Sequence, residues 1–364
     1  MKKIMLIMLL LPAFFGKAYA DGPTGQALQI FEAGRMEAGL NEEERDIGGE
    51  IEPGTYDVAS ALSRLWCAFG KKLKEQVHAE LGFALKLLAL VFLCAFCGTV
   101  CNAEKIRGLI EICGVCAAAG LLAGGMNSLA AQTTEAVYRL SDYSKAALPV
   151  LYTASAASGR VSSAAFGYAR ACLALDVMMS FSQKAVLPLI YASLSLTLVN
   201  AVFPNPMLEA MERLTKWGAK TVLTAVTITF TACIGISSLI TAKFDAATIK
   251  TTRAVISGAL PVVGGLLSDA SAAVLSAAGA VLSCAGAFGL IAVCAMCIGP
   301  FAVLSVKCIL FKSVAAIAES VQSPQLRRLF SGIESAVGLM MGLLGCNAMM
   351  LFLSFASAIK VVSA

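Results

Sequence analysis

The feature that most constrains this chain is a succession of long apolar runs, divided by short charged segments, from residue 81 to the C-terminus. LGFALKLLALVFLCAFCGTVC (81–101), LIEICGVCAAAGLLAGGMNSL (109–129) and AVLPLIYASLSLTLVNAVF (185–203) are typical. About 20 such residues cross the roughly 30 Å hydrocarbon layer as a helix. Apolar residues make up 58% of the 364 and charged residues 14%, against about 25% charged in soluble domains. A soluble core cannot hide that much apolar surface. The expected fold is an all-α integral membrane protein, a polytopic helix bundle.

Spans are expected near 81–101, 109–129, 161–181, 185–203, 219–241, 281–306 and 333–358, with a shorter Lys-flanked run at 308–321. The count is about seven, some of them broken or re-entrant. Segments 133–147 and 243–255 mix charge and apolar residues at helical spacing, as amphipathic interfacial helices do.

The N-terminus reads as a signal peptide over 1–20. Lys2 and Lys3 precede an apolar core, and Ala18-Tyr19-Ala20 forms an A-x-A cleavage site. A retained signal anchor is the alternative. Residues 21–80 form an acidic segment with 12 of the 23 Asp and Glu, placed outside the cytoplasm by signal cleavage. Its first part, 21–58, is rich in turn residues and acids and reads as mobile. An amphipathic helix over 59–80 follows, lying on the membrane surface or packed on its own domain. Residues 81–364 are the multispanning membrane domain. Cleavage places the first loop, with Lys105 and Arg107, inside, in line with the positive-inside rule. Lys71, Lys72 and Lys74 then lie outside, against that rule.

Chemistry-bearing residues are few. One His and no H-E-x-x-H exclude a His-based triad or zinc site, and no phosphate loop points to an ATPase. Twelve of the 13 Cys fall at or after position 94, within apolar stretches, where C-x-x-C pairs serve as small packing residues. No enzyme activity, metal or cofactor is expected. The scattered Lys and Arg suit anionic headgroups of the lipid bilayer rather than nucleic acid.

Arg170 and Asp176 stand six positions apart in an apolar run, and ionisable groups at membrane depth face a bundle interior or water. GALPVVGGLLSDASAAVLSAAG (258–279) brings together Pro261, Gly264, Gly265, Ser268 and Asp269. Its Leu-Pro core echoes AALPVLYTASAASG (146–159) and AVLPLIYASLSLTL (185–198), the pattern of discontinuous helices at a transport site. These seven residues are the candidate conduit or structural polar positions. Asp269 either lines a path or begins the next helix as its N-cap.

Certain segments carry a resemblance. GAKTVLTAVTITFTACIGISSLITAKFDAATIKTTRAVISGALPVVGGLLSDASAAVLSAAGAV (218–281), GPFAVLSVKCILFK (299–312) and ALPVLYTASAASGRVSSAAF (147–166) resemble the stage III sporulation protein AE family of spore-forming bacteria. The likeness covers most of the chain after residue 80. It implies a multi-pass subunit in the mother-cell membrane around the forespore. The implied partners are other stage III A sporulation membrane proteins and, through the complex, a forespore membrane protein. The assembly is thought to act as a channel or secretion-like apparatus, and a homo-oligomer is compatible with it. The family brings no catalytic motif to carry over. A stand-alone secondary transporter or permease is the alternative function.

Overall fold

A computed structural model describes the backbone of residues 34–49, 57–100, 104–157, 161–259 and 264–363, and their side chains except 34–35, 104–105, 161–163, 235–281, 283 and 360–363. Among the described residues every element is helical. Two short helices, α1 (Gly34–Ala38) and α2 (Glu42–Gly48), precede α3 (Val58–Val100), α4 (Glu104–Ala157) and α5 (Val161–Phe181). A π-turn, Ser182–Val186, joins α5 to α6 (Leu187–Val202); α7 (Pro206–Ala259), α8 (Gly264–Ser320) and α9 (Pro324–Ser363) complete the chain.

Six stretches are long and apolar enough to cross a membrane, α5 and α6 counting as one. The chain is thus an all-α polytopic bundle, with six such helices among the described residues where the sequence suggested about seven. The difference is continuity: the runs 161–181 and 185–203 are one stretch, Ala164–Val202, joined through the π-turn. Segments read as separate surface helices, 59–80 and 133–147, are the near or far halves of α3 and α4. The runs 281–306 and 308–321 are one helix, α8. At about 1.5 Å per residue, α4 and α7 are each some 80 Å long, far more than the roughly 30 Å hydrocarbon layer.

The two Leu-Pro sites among the described residues have different outcomes. Pro149 lies inside α4, whose helix runs through it. Pro188 follows the π-turn; a proline ring clashes with the carbonyl four residues back, here that of Lys184, and widening the helix relieves the clash. Pro261 lies outside the described residues; α7 ends at Ala259 and α8 starts at Gly264. The stretch 258–279 is therefore no separate span. From Gly264 onward it is the start of α8.

Consecutive long helices run antiparallel. Gly98 on α3 approaches Arg107 on α4, and a Cβ at Gly332 on α9 would meet Thr197 on α6. These contacts gather the α3–α4, α6–α7 and α8–α9 junctions at one end. At the other end Gly286 on α8 meets Ile359 on α9 and Leu151 on α4. The α8–α9 hairpin forms the centre and packs on every other long helix except that α3 touches chiefly α8 and α4. Its two apolar windows are mostly buried, whereas only 11% of the α3 window is buried.

Part of the acidic segment expected to be mobile is instead docked. Met36 is fully buried, against Gly289 and Phe355; Gly39 abuts Tyr143, and Gly48 abuts Phe288. Glu44 reaches back to the Asn41 amide at 2.9 Å, closing the start of α2, and takes Arg139 of α4 at 2.7 Å. Glu43 pairs with Lys72 of α3 at 2.8 Å. The hydrogen bond from Lys72 holds the Glu43 carboxyl below its ordinary value. This tie is full above the ordinary Glu range and is lost as pH falls through the lowered value. Residues 34–49 thus strap α3, α4 and α8 together.

Midway along α3, Glu80 pairs with Lys307 of α8 at 2.5 Å, and each side chain is at most 15% exposed. The Lys307 ammonium also sits 4.7 Å from the Phe83 ring centre. Removing one partner strands the other charge. Lys307→Ala is expected to destabilise the detergent-solubilised protein by about 3–5 kcal/mol, while Glu80→Leu with Lys307→Met stays near wild type. Thermal unfolding followed by tryptophan fluorescence checks both.

Candidate functional site

Polar groups inside the bundle fall into three clusters. The first closes the α6–α7 corner. Glu212 on α7 takes Lys216 at 2.6 Å, the Thr197 hydroxyl at 2.7 Å and the Asn200 amide at 3.2 Å. Lys216 also donates to the Gly332 carbonyl of α9 at 3.1 Å. Glu212 and Lys216 are 13% and 17% exposed, so the pair is inside, and its hydrogen bonds offset the cost of burial. A Cβ on Gly332 would lie 2.4 Å from the Thr197 methyl, so only glycine lets α9 approach this closely. The i,i+4 spacing of Glu212 and Lys216 was legible in the sequence; the partners from α6 and α9 were not.

The second cluster surrounds Arg170. Its Nη2 donates to Ser357 Oγ of α9 at 3.3 Å. Tyr152 of α4 lies beside its guanidinium and packs edge-on against Tyr168 at 6.0 Å. Arg170 Nε is buried with no hydrogen-bond partner among the described residues. Arg170 therefore ties α5 to α4 and α9. Asp176 does not join it. Six residues turn it to another face, where it is exposed. Among the described residues, no cation comes within ion-pair distance of it.

The third is a cleft of about 310 Å³ at the junction end. Cys94, Thr99, Arg107, Glu111, Gln322 and Ser323 help to line it. Gln322 has a positive φ of 57°, the left-handed turn that lets α9 fold back on α8. No sequence pattern marked this cleft, because its walls come from three helices and the α8–α9 turn.

The remaining sequence candidates separate. Gly264 and Gly265 are the first two residues of α8. Asp269 is the sixth, past the capping position, so the N-cap expectation does not hold; its side chain and that of Ser268 lie outside the described residues, as does Pro261. Of the seven candidates, Arg170 and Asp176 turn to different faces of α5, and the five in 261–269 lie where side chains are outside the described residues. Elsewhere, a Cβ at Gly120 or Gly124 of α4 would meet nothing within 4 Å. His78 is exposed, with its Nδ1 2.9 Å from the Lys74 carbonyl. Among the described residues there is no group of three His, Cys, Asp or Glu placed to hold a metal ion.

This architecture, long apolar helices tied by buried ion pairs, defines a multi-pass α-helical membrane protein. A family model described as stage III sporulation protein AE matches residues 51–362, and the chain belongs to that family. It is thus a sporulation protein acting at stage III. No curated protein and no solved structure matches it.

The corner cluster has a specific consequence. Gly332→Val is expected to force α9 off α6 and Glu212, at about 2–4 kcal/mol, and to lower expression in the membrane fraction. Glu212→Ala, which leaves Lys216 unpaired, is expected to cost a similar amount. Limited proteolysis at the exposed Pro204–Asn205 turn reads the loosening directly.

Proposed function

We propose that this chain is the membrane subunit of a stage III A sporulation complex that forms or supports a conduit between mother cell and forespore. Family membership carries the reading. In it the protein sits in the mother-cell membrane around the forespore, with the mature N-terminus outside the cytoplasm. The α3–α4 and α8–α9 junctions, with Lys105, Arg107, Arg327 and Arg328, then face the mother-cell cytoplasm, as the positive-inside rule favours. The docked strap lies on the opposite, intermembrane side, where partner domains would meet it. The chain itself performs no catalysis, and any nucleotide-driven work comes from another subunit.

A stand-alone transporter is the second reading. The observation in its favour is Arg170, a half-buried cation between α4, α5 and α9 whose buried Nε has no hydrogen-bond partner among the described residues. That reading requires the purified protein in liposomes to take up an anionic solute and to lose uptake on Arg170→Gln.

The complex reading expects affinity-tagged chain from sporulating cells to bring down other sporulation membrane proteins, and purified chain alone to show no uptake. Recovery of the chain without any such protein overturns it. It also expects a thiol-reactive, membrane-impermeant label to reach a cysteine placed at Glu42 and not one placed at Gln322. The reverse pattern would invert the orientation.

A further inference from the structure

We infer that the cleft at the junction end holds the headgroup of an aminophospholipid, its phosphate on Arg107 and its ammonium on Glu111. The inference requires only that the chain spans the membrane, and not that it forms a conduit.

The outer faces of α3 and α4 set the level of the cleft. Along α3, exposed Lys71, Lys74, Glu75 and His78 give way to exposed Leu81, Leu85, Phe92, Phe96 and Val100, with Lys86 the one charge among them. Along α4, exposed Ile106, Leu109, Ile112 and Leu121 precede exposed Asn127, Ser128 and Gln132. The stretches 79–100 and 106–126 thus each present an apolar face some 30 Å tall at about 1.5 Å per residue, the thickness of one hydrocarbon layer. The Glu43–Lys72 tie of the strap falls beyond one edge of this band, and the α3–α4 junction marks the other. Thr99 and Arg107, which help to wall the cleft, stand at that second edge, where headgroups lie.

The cleft offers both signs of charge. The Arg107 stem crosses to α3, where its Cγ lies 3.9 Å from a Cβ position on Gly98. Glu111 follows one turn later and is half-buried. Both line the cleft, yet among the described residues neither forms an ion pair. The backbone repeats the pattern. Helix α8 ends at Ser320 and α9 begins at Pro324, so the partial negative end of one helix and the partial positive end of the other meet at the cleft. Thr99 and Ser320 donate to the Phe96 and Ala316 carbonyls at 2.8 and 3.0 Å, which leaves their oxygen lone pairs to accept from an ammonium.

A simple anion would suit Arg107 and be repelled by Glu111; a simple cation would meet the reverse. A phosphate diester that carries a primary ammonium answers both. At about 310 Å³ the cleft is at the small end of ligand sites, roughly 300–1,000 Å³, which suits a headgroup and not a whole lipid. Its neighbours supply the rest. Phe96 and Val100 on α3 and Ile106 and Leu109 on α4 are exposed by 68%, 65%, 48% and 62%, an apolar wall for acyl chains beside a polar hole. That wall makes the occupant a lipid and not a free solute. Charged pockets between spanning helices recognise headgroups in this way.

The test uses the full chain, purified and washed free of lipid in mild detergent. It is mixed with equal amounts of phosphatidylethanolamine, phosphatidylglycerol and phosphatidylcholine of matched chains, and bound lipid is counted by native mass spectrometry. Phosphatidylethanolamine is expected to exceed each of the others about tenfold. Arg107→Gln is expected to lower its binding about tenfold, the scale of one lost charge contact at about 1.4 kcal/mol. Glu111→Gln is expected to bind phosphatidylglycerol at least as well as phosphatidylethanolamine, a reversal of preference that misfolding does not produce. The inference is overturned if wild type binds the three lipids equally or prefers phosphatidylglycerol, or if Glu111→Gln keeps the wild-type preference. It is also overturned if water-soluble glycerophosphoethanolamine displaces the lipid at equal concentration, since the site then takes a free solute.

Discussion

The α8–α9 hairpin is the contact on which the rest of this bundle depends. The two helices bury most of their apolar windows, turn tightly through Gln322, and offer small residues where neighbours come closest. Gly286 lets Ile359 and Leu151 in, Gly289 admits Met36 and Phe355, and Gly332 admits Thr197. Each of these sites would clash with a β-carbon. Beside a shared apolar core, polar ties fix the outer helices to this hairpin: Lys307 to Glu80, Lys216 to the Gly332 carbonyl, and Ser357 to Arg170. In lipid such ties specify register, because apolar side chains pack nearly as well on lipid tails as on one another.

The class of fold was legible from the sequence because lipid leaves the backbone few options. A chain with long apolar runs must satisfy its amides internally, and helices do so one residue at a time. The number and limits of the helices were less legible. Polar stretches such as 59–80 and 133–147 look like separate surface helices when hydropathy alone draws the boundaries. Yet nothing in them breaks a helix, and α3 and α4 run through unbroken. Proline misled in the same way. Pro149 and Pro188 suggested interruptions, but a helix carries one and a π-turn absorbs the other.

The polar sites were legible in kind and not in pairing. Arg170 and Asp176 drew notice as charges in an apolar run, and both are unusual in the structure. They are unusual for different reasons: one is buried between three helices and the other lies open on a flank. The strongest buried pair, Glu80 with Lys307, joins residues 227 positions apart. Each end of it looks like an ordinary helix-end charge when read alone. Glu44 was hidden among the acids of a segment whose composition suggested disorder, and its pairing with Arg139 comes from a fold that brings α2 onto α4.

The length of α4 has a mechanical consequence. One end carries Arg139 and Tyr143, which hold the strap, and the other carries Arg107 and Glu111, which wall the cleft between the helix junctions. A single helix of 54 residues connects them. Arg107 and Arg139 stand 32 residues apart along it, about 48 Å, so a tilt of about 5° at one moves the other by roughly 4 Å. A load on the acidic strap is therefore carried along one continuous helix to the residues that wall the cleft at the other end of the bundle.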